Sequence, residues 1–182
     1  CDLHTVDSFI WTKSHDKKAP GMVSPGESFR PVFEGFLKER GLTATVHEVE
    51  FSAFQWAGGE IDLVVIDAPK TANELYSCLS RVMPHLKSDG RILVKHGSST
   101  IYADMVLYIE ELLTSGVLTL PKQSQEKNCS TVLMSMGENR AAFSDVDASL
   151  EVRLTTGILQ SGIDLAPGHP LRFLPVFVAA LN

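Results

Sequence analysis

Three stretches of this chain end on side chains that can bind or transfer protons. Asp7 follows residues 3–6 (LHTV), Asp67 follows residues 61–66 (IDLVVI), and Lys95 and His96 follow residues 91–94 (RILV). Short apolar runs that stop at polar residues read as strands. An acid at a strand end suits a ribose, because a carboxylate accepts two hydroxyl hydrogen bonds at once; for Asp7 the competing reading is a turn or helix cap, a common post for aspartate. Imidazole exchanges protons near neutral pH, so His96 is the candidate base for an acceptor hydroxyl, with a plain turn residue before Gly97 as the alternative. Asp67 either contacts a ligand or caps a helix beginning near Thr71. Lys70 either supplies positive charge near an acidic acceptor or is a solvated lysine at that helix start. Phe9 and Trp11 either stack on a ligand or anchor a loop.

The elements that must position these groups alternate along the chain. Residues 28–40 form a helix on the spacing of Phe29, Val32, Phe33, Phe36 and Leu37, with Pro31 in its first turn and Gly41 at its end. A long loop, 11–27, precedes it, marked by Ala19-Pro20-Gly21 and Ser24-Pro25-Gly26. Residues 43–49 alternate as a strand, 50–57 carry a short turn or helix, and 71–86 and 101–115 are amphipathic helices. The near-continuous apolar run 61–66 suits a strand covered on both faces. Residues 117–120 and 131–136 read as a late strand pair, a hairpin at a sheet edge. In the tail, 150–158 carry a helical pattern and 173–181 are apolar enough for a packed strand or helix.

Alternating strands and helices predict a mostly parallel sheet with helices on both faces. Ligands bind beyond the carboxyl ends of such strands. Asp7, Asp67 and Lys95-His96, with residues 50–52, are therefore expected to converge on one rim.

The composition excludes some functions. Of 182 residues, 44% are apolar and 21% charged, with a net charge of -6, so the chain lacks the basic balance that phosphate backbones demand and no nucleic-acid partner is expected. Lys13, Lys17 and Lys18, diluted by Asp16, read as a solvated loop. No apolar stretch approaches the roughly 20 residues that span a bilayer. No signal peptide is visible, and Cys1, Cys78 and Cys129 form an odd set without metal-ligand spacing, so reduced thiols in a cytoplasmic protein are expected. The chain opens without an initiator Met on what reads as the lead-in to a strand, and further residues are expected upstream.

The stretch 61–97, IDLVVIDAPKTANELYSCLSRVMPHLKSDGRILVKHG, resembles the core of class I S-adenosylmethionine-dependent methyltransferases. Their pattern is a strand ending in Asp, a helix, a Leu-Lys-Pro-Gly-Gly turn matched by Leu86-Lys87-Ser88-Asp89-Gly90, and another strand. His4-Thr5-Val6-Asp7-Ser8-Phe9 resembles the second strand of that fold, whose terminal acid binds the ribose of the cofactor. The combination looks most like the small-molecule and sugar O-methyltransferase branch and covers about residues 2–136. The resemblance implies an α/β, Rossmann-like methyltransferase fold with a mostly parallel sheet, flanking helices and a C-terminal antiparallel strand pair. It implies one domain over 1–136 that lacks its first strand, with 137–182 as an extension packed on it.

By the same resemblance the cofactor is S-adenosylmethionine, held by Asp7, Ser8, Phe51, Ser52 and Asp67. His15, Asp16 and Lys70 line the site of a small-molecule or sugar acceptor, and His96 with Asp67 carries the chemistry. Two departures stand out. The family's glycine-rich loop has no counterpart before Asp7. The acids and histidine that hold a divalent cation in the metal-dependent branch are replaced by Pro69-Lys70 and Lys95-His96-Gly97, so no metal is expected. The expected function is O-methylation of a small molecule or sugar; the alternative is a catalytically inactive interaction or scaffolding module. The apolar tail could cover a second copy in a homo-oligomer. A nicotinamide-binding protein is a weaker alternative, because no Gly-x-Gly-x-x-Gly occurs.

Overall fold

Strand pairing divides the chain into an early parallel pair and a later mixed sheet. The computed structural model describes residues 2–121 and 130–146, in two compact units, Cys1–Gln55 and Trp56–Asn182.

In the first unit, β1 (His4–Asp7) and β2 (Thr45–Glu48) pair in parallel, His4 opposite Thr45 and Asp7 opposite Glu48. Parallel strands need a crossover. Here it contains α1 (Lys13–Asp16) and α2 (Arg30–Glu39). Pro31 sits in the first turn of α2, where its missing N–H costs no helical bond, and Gly41 at φ 65° follows the helix. The segment between the two helices is less free than its Gly and Pro content suggests. Trp11 N–H donates to the Glu27 carbonyl and Gly26 N–H to the Trp11 carbonyl, both at 2.8 Å, and Phe29 N–H donates to the Phe9 carbonyl at 2.8 Å. Phe9 (1% exposed) and Trp11 (8% exposed) are core residues. Phe9 packs on Phe29 and Phe33 with ring centroids 5.0 and 5.5 Å apart. Loop anchoring is thus the role the structure gives these two rings.

In the second unit, β3 (Ile61–Ile66), β4 (Leu86–Val94), β5 (Leu118–Thr119) and β6 (Val132–Met136) form one sheet in the order β3-β4-β6-β5. β3 and β4 are parallel; β6 runs antiparallel to both β4 and β5. The architecture is α/β, and the late strand pair lies at a sheet edge with β6 as its inner member. α3 (Ala72–Val82) and α4 (Ala103–Thr114) connect the strands. Leu75, Leu79 and Val82 of α3 and Met105, Ile109 and Leu112 of α4 are buried, as are Ile66, Ile92 and Val94 of the sheet.

Three expectations change. The run 61–66 is not covered on both faces, since Leu63 and Val65 are 55% and 62% exposed while Ile66 is buried. Residues of period two share a face, so one face of β3 is bare. The helix expected to reach Leu86 ends at Val82, because Pro84 cannot continue the ladder. The turn at Asp89-Gly90 lies inside β4, as a bulge. Ile61 faces Leu86 but Leu63 faces Arg91, so residues 87–90 oppose Asp62 alone. Gly90 is required there, because a Cβ would lie 2.7 Å from Leu86 Cγ.

Arg140, early in the C-terminal extension, donates to the carbonyls of Leu86 (3.1 Å) and Met83, which ties that extension to the start of β4. The expected helix 150–158 and the apolar segment 173–181 lie outside the described residues, as do Cys1 and Cys129. Among the described residues no helix is long and apolar enough to cross a membrane.

A buried thiol and a half-buried carboxyl give predictions. Cys78 of α3 is buried, and desolvation, with a smaller push from Glu74 against the opposing Arg81, drives its thiol up to about 12. At about pH 8 only on the order of one thiol in ten thousand is then the reactive thiolate. Iodoacetamide mapped by mass spectrometry should label Cys78 only after denaturation. Burial also raises the Glu110 carboxyl in α4, against an opposing hydrogen bond with Thr114. The native state then holds that proton to higher pH than the unfolded chain does. Stability therefore falls as pH rises through the ordinary carboxylate range to the folded value. Glu110→Gln should raise Tm at neutral pH and converge on the parent protein in acid, read by thermal denaturation across pH.

Candidate functional site at the strand ends

β3 and β4 run in the same direction and finish together. Ile66 pairs with Val94, and the Lys95 amide donates to the Ile66 carbonyl at 2.8 Å. Asp67 and Lys95, the next residue on each strand, are therefore neighbours, and their side chains form an ion pair of 2.9 Å. Both are at least half exposed, so the pair contributes about 0–1 kcal/mol; its effect is to neutralise the Asp67 carboxylate. Asp67 does not cap α3. Thr71 and Glu74 do so with a capping box, and Glu74 also accepts from the Lys70 amide at 2.6 Å.

Lys70 turns back onto the rim. Its Nζ donates to the Asp67 carbonyl at 3.2 Å and lies 5.0 Å from the centre of the Tyr102 ring. His96 reaches the same ring, with centroids 5.7 Å apart, and its Nδ1 lies 3.4 Å from Ser130 Oγ. Asp67, Lys70 and His96, singled out from the sequence, are thus one cluster. Lys95, Tyr102 and Ser130 complete it. Lys95 was legible as the neighbour of His96; an isolated tyrosine and a serine beyond a polar stretch carry no pattern that would mark them.

His96 adopts φ 63°, left-handed backbone that costs a non-glycine residue about 1–2 kcal/mol. Its neighbour supplies the reason. A Cβ on Gly97 would lie 3.1 Å from both Ile109 Cδ1 and Val132 Cγ2. The chain passes tightly between α4 and β6 there, and the turn is set by that passage. Such strain collects at functional sites.

In the first unit the parallel ladder also continues past the strands, with the Val49 amide donating to the Asp7 carbonyl at 3.0 Å. Asp7 Oδ1 accepts the Phe9 amide at 2.6 Å, a turn that holds Phe9 at φ 54°. The turn-cap reading of Asp7 therefore takes one oxygen. Asp7 is exposed, and its second oxygen makes no hydrogen bond among the described residues. Ser8 follows it, half-buried. Past β2, Phe51 and Ser52 sit in a 3-10 turn, Phe51 against Phe54 at 5.6 Å and Ser52 exposed. His15 and Asp16 belong to α1, where both have structural work: His15 Nδ1 accepts the Thr12 amide at 3.2 Å, and Asp16 Oδ1 accepts the Gly21 amide at 3.2 Å.

Among the described residues, no group of three or more His, Cys, Asp or Glu side chains is placed to hold a metal ion. A shallow depression lined by Glu60, His85, Ser88 and Arg140 lies at the opposite, amino end of β3 and β4, away from these groups.

No family model matches the chain, and no curated protein matches it. Solved structures similar to it include an S-adenosylmethionine-dependent methyltransferase from Clostridium acetobutylicum, at 14% identity over 54% of this chain and 36% of that one, with a TM-score of 0.34. The mitomycin 7-O-methyltransferase MmcR is 15% identical over 75% of this chain and 42% of that one, with a TM-score of 0.43. The O-methyltransferase NcsB1 from neocarzinostatin biosynthesis, in complex with S-adenosylmethionine and 2-hydroxy-5-methyl naphthoic acid, is 16% identical over 74% and 41%, with a TM-score of 0.42. The chain spans about two fifths of the length of these proteins. Its α/β character rests on its own strand order and helical crossovers.

The backbone at His96 gives a pair of opposed predictions. His96→Gly should stabilise the fold by about 1 kcal/mol by relieving the left-handed strain. Gly97→Ala should destabilise it by about 1–3 kcal/mol through overpacking against Ile109 and Val132. Urea unfolding of the two variants measures both.

Proposed function

We propose that this chain is part of an S-adenosylmethionine-dependent methyltransferase that methylates a hydroxyl group of a small molecule or sugar. The observation that carries the reading is the Asp67, Lys70, Lys95, His96, Tyr102 cluster at the carboxyl ends of two parallel strands, where α/β sheets bind ligands. The likeness to the methyltransferase core pattern over residues 61–97 gives that cluster its chemistry.

The residues present fit such a cofactor. The open oxygen of Asp7 suits a ribose hydroxyl, Ser8 adds a hydroxyl beside it, and the Phe51 ring with Ser52 offers an apolar face and a donor for a base. The reading also assigns Asp67 to the cofactor. S-adenosylmethionine, when bound, supplies a methyl group on a sulfonium. Transfer to oxygen then needs an acceptor hydroxyl held in place and relieved of its proton.

His96 is the group for that proton. With Nδ1–H donated to Ser130 Oγ, its Nε2 carries the lone pair and accepts; with the opposite tautomer it cannot. Lys70, over the Tyr102 ring, stabilises negative charge growing on the acceptor oxygen. The reading assigns His15 and Asp16 to the acceptor, in addition to the backbone bonds each makes. No divalent cation enters this reading, because Asp67 is paired with Lys95.

A second reading, a methyltransferase-like module that binds partners without catalysis, is favoured by one observation. The exposed Leu63 and Val65 form an apolar face of the kind that interaction surfaces use.

Calorimetric titration with S-adenosylmethionine and its demethylated product separates the two. Binding is expected, and Asp7→Ala should weaken it by about 1.5–3 kcal/mol. His96→Gln should leave that affinity in place and lower methyl transfer by about 10²–10⁴-fold. Absence of binding by either compound would leave the non-catalytic module.

A further inference from the structure

Lys70 does not lie as an idle surface lysine would. A lysine that points into water keeps about 2 kcal/mol of rotamer freedom. Lys70 instead folds back, with its Nζ 3.2 Å from the Asp67 carbonyl and 5.0 Å from the centre of the Tyr102 ring. Lys95 brings a second ammonium to the same residue, 2.9 Å from Asp67 Oδ2. Two cations thus meet at a residue with one carboxylate, and Lys95 takes that carboxylate.

The other acids nearby are held by backbone amides. Glu74 Oε2 accepts the Lys70 and Thr71 amides at 2.6 and 3.1 Å. Asp104 Oδ2 accepts the Ala72 amide at 3.0 Å. Both serve the amino end of α3, where unpaired N–H groups and the helix dipole favour negative charge. An ammonium carries three N–H donors. Among the described residues, the Lys70 ammonium gives one of them to an uncharged carbonyl and forms no ion pair. It therefore keeps donors for an anion. One ring also sets how far such an anion lies from the base. Lys70 Nζ and the His96 ring stand 5.0 and 5.7 Å from the centre of Tyr102, a spacing that one small molecule can span.

We infer that the acceptor is a hydroxylated carboxylic acid, with its carboxylate on Lys70 and its hydroxyl facing His96. This deepens the methyltransferase reading and rests on it, since that reading makes His96 the proton acceptor. Lys70 is then a specificity determinant. It anchors the acceptor before any charge grows on the reacting oxygen. A neutral amide of the same shape would leave the ammonium with its carbonyl partner alone. Hydrogen bonds between ionised groups are roughly twice as strong as neutral ones, so the site discriminates by charge rather than by shape.

The test is calorimetric titration of the full chain with para-hydroxybenzoate and with its neutral counterpart para-hydroxybenzamide. It is run with and without S-adenosylmethionine, at ionic strength held constant with sodium chloride. The acid should bind about tenfold or more tightly than the amide. Lys70→Gln should remove that preference, and Lys70→Arg should keep it. Lys17→Gln, at an exposed lysine of the first unit, should leave it unchanged. A preference for the acid without any binding of S-adenosylmethionine would keep the carboxylate site and remove methyl transfer from it. No binding of the acid, equal affinity for acid and amide, or a preference that survives Lys70→Gln would overturn the inference, whether or not S-adenosylmethionine binds.

Discussion

The bond from the Lys95 amide to the Ile66 carbonyl closes the parallel ladder of β3 and β4, and the rim chemistry of the second unit depends on it. Parallel strands point their carboxyl ends the same way, so residues 28 positions apart arrive side by side. That geometry requires a crossover, and α3 provides it, started by the Thr71–Glu74 box and stopped before Pro84. The capping box has a further effect on the site. By satisfying the amino end of α3 it relieves Asp67 of that duty, which leaves the carboxylate to Lys95 and lets Lys70 fold back over Tyr102.

Two non-glycine residues, Phe9 and His96, hold left-handed backbone among the described residues, and each lies two positions past the end of a parallel strand. They are held by different means. A side chain does it at Phe9, where the Asp7 carboxylate grips the amide. Close packing does it at His96, where Gly97 threads between Ile109 and Val132. The strain is offset by burial nearby: Phe9 is a core ring, and Gly97 sits against Ile109 in the middle of α4.

Much of this was legible because the signals were local. The apolar runs of β1 and β3, the helical spacing of α2 and α4, and the Thr71 start of α3 all follow from residues a few positions apart. What was missed depends on contacts that spacing does not encode. The bare face of β3 could not be read from IDLVVI, since periodicity does not tell which faces are covered. The bulge in β4 looked like a turn because Asp89-Gly90 is turn chemistry in either setting. Within the site, the sequence singled out Asp67 and His96 as strand-end residues, but the ion pair that neutralises Asp67 and the Tyr102 ring between Lys70 and His96 are tertiary facts. His15 and Asp16 were marked as ligand groups, and both carry local backbone bonds, His15 in the α1 capping box and Asp16 to the following Gly21.

The place of β6 bears on how this chain assembles. β6 lies between β4 and β5, although it is made last of the three. During synthesis β5 emerges with no neighbour to join, and β4 keeps one edge open, until residues 132–136 leave the ribosome and slide in between. Closing such non-local pairs is slow compared with helix formation, and an open strand edge invites foreign strands in the meantime. The second unit is therefore most exposed to misassembly in the interval between the appearance of β5 and the arrival of β6.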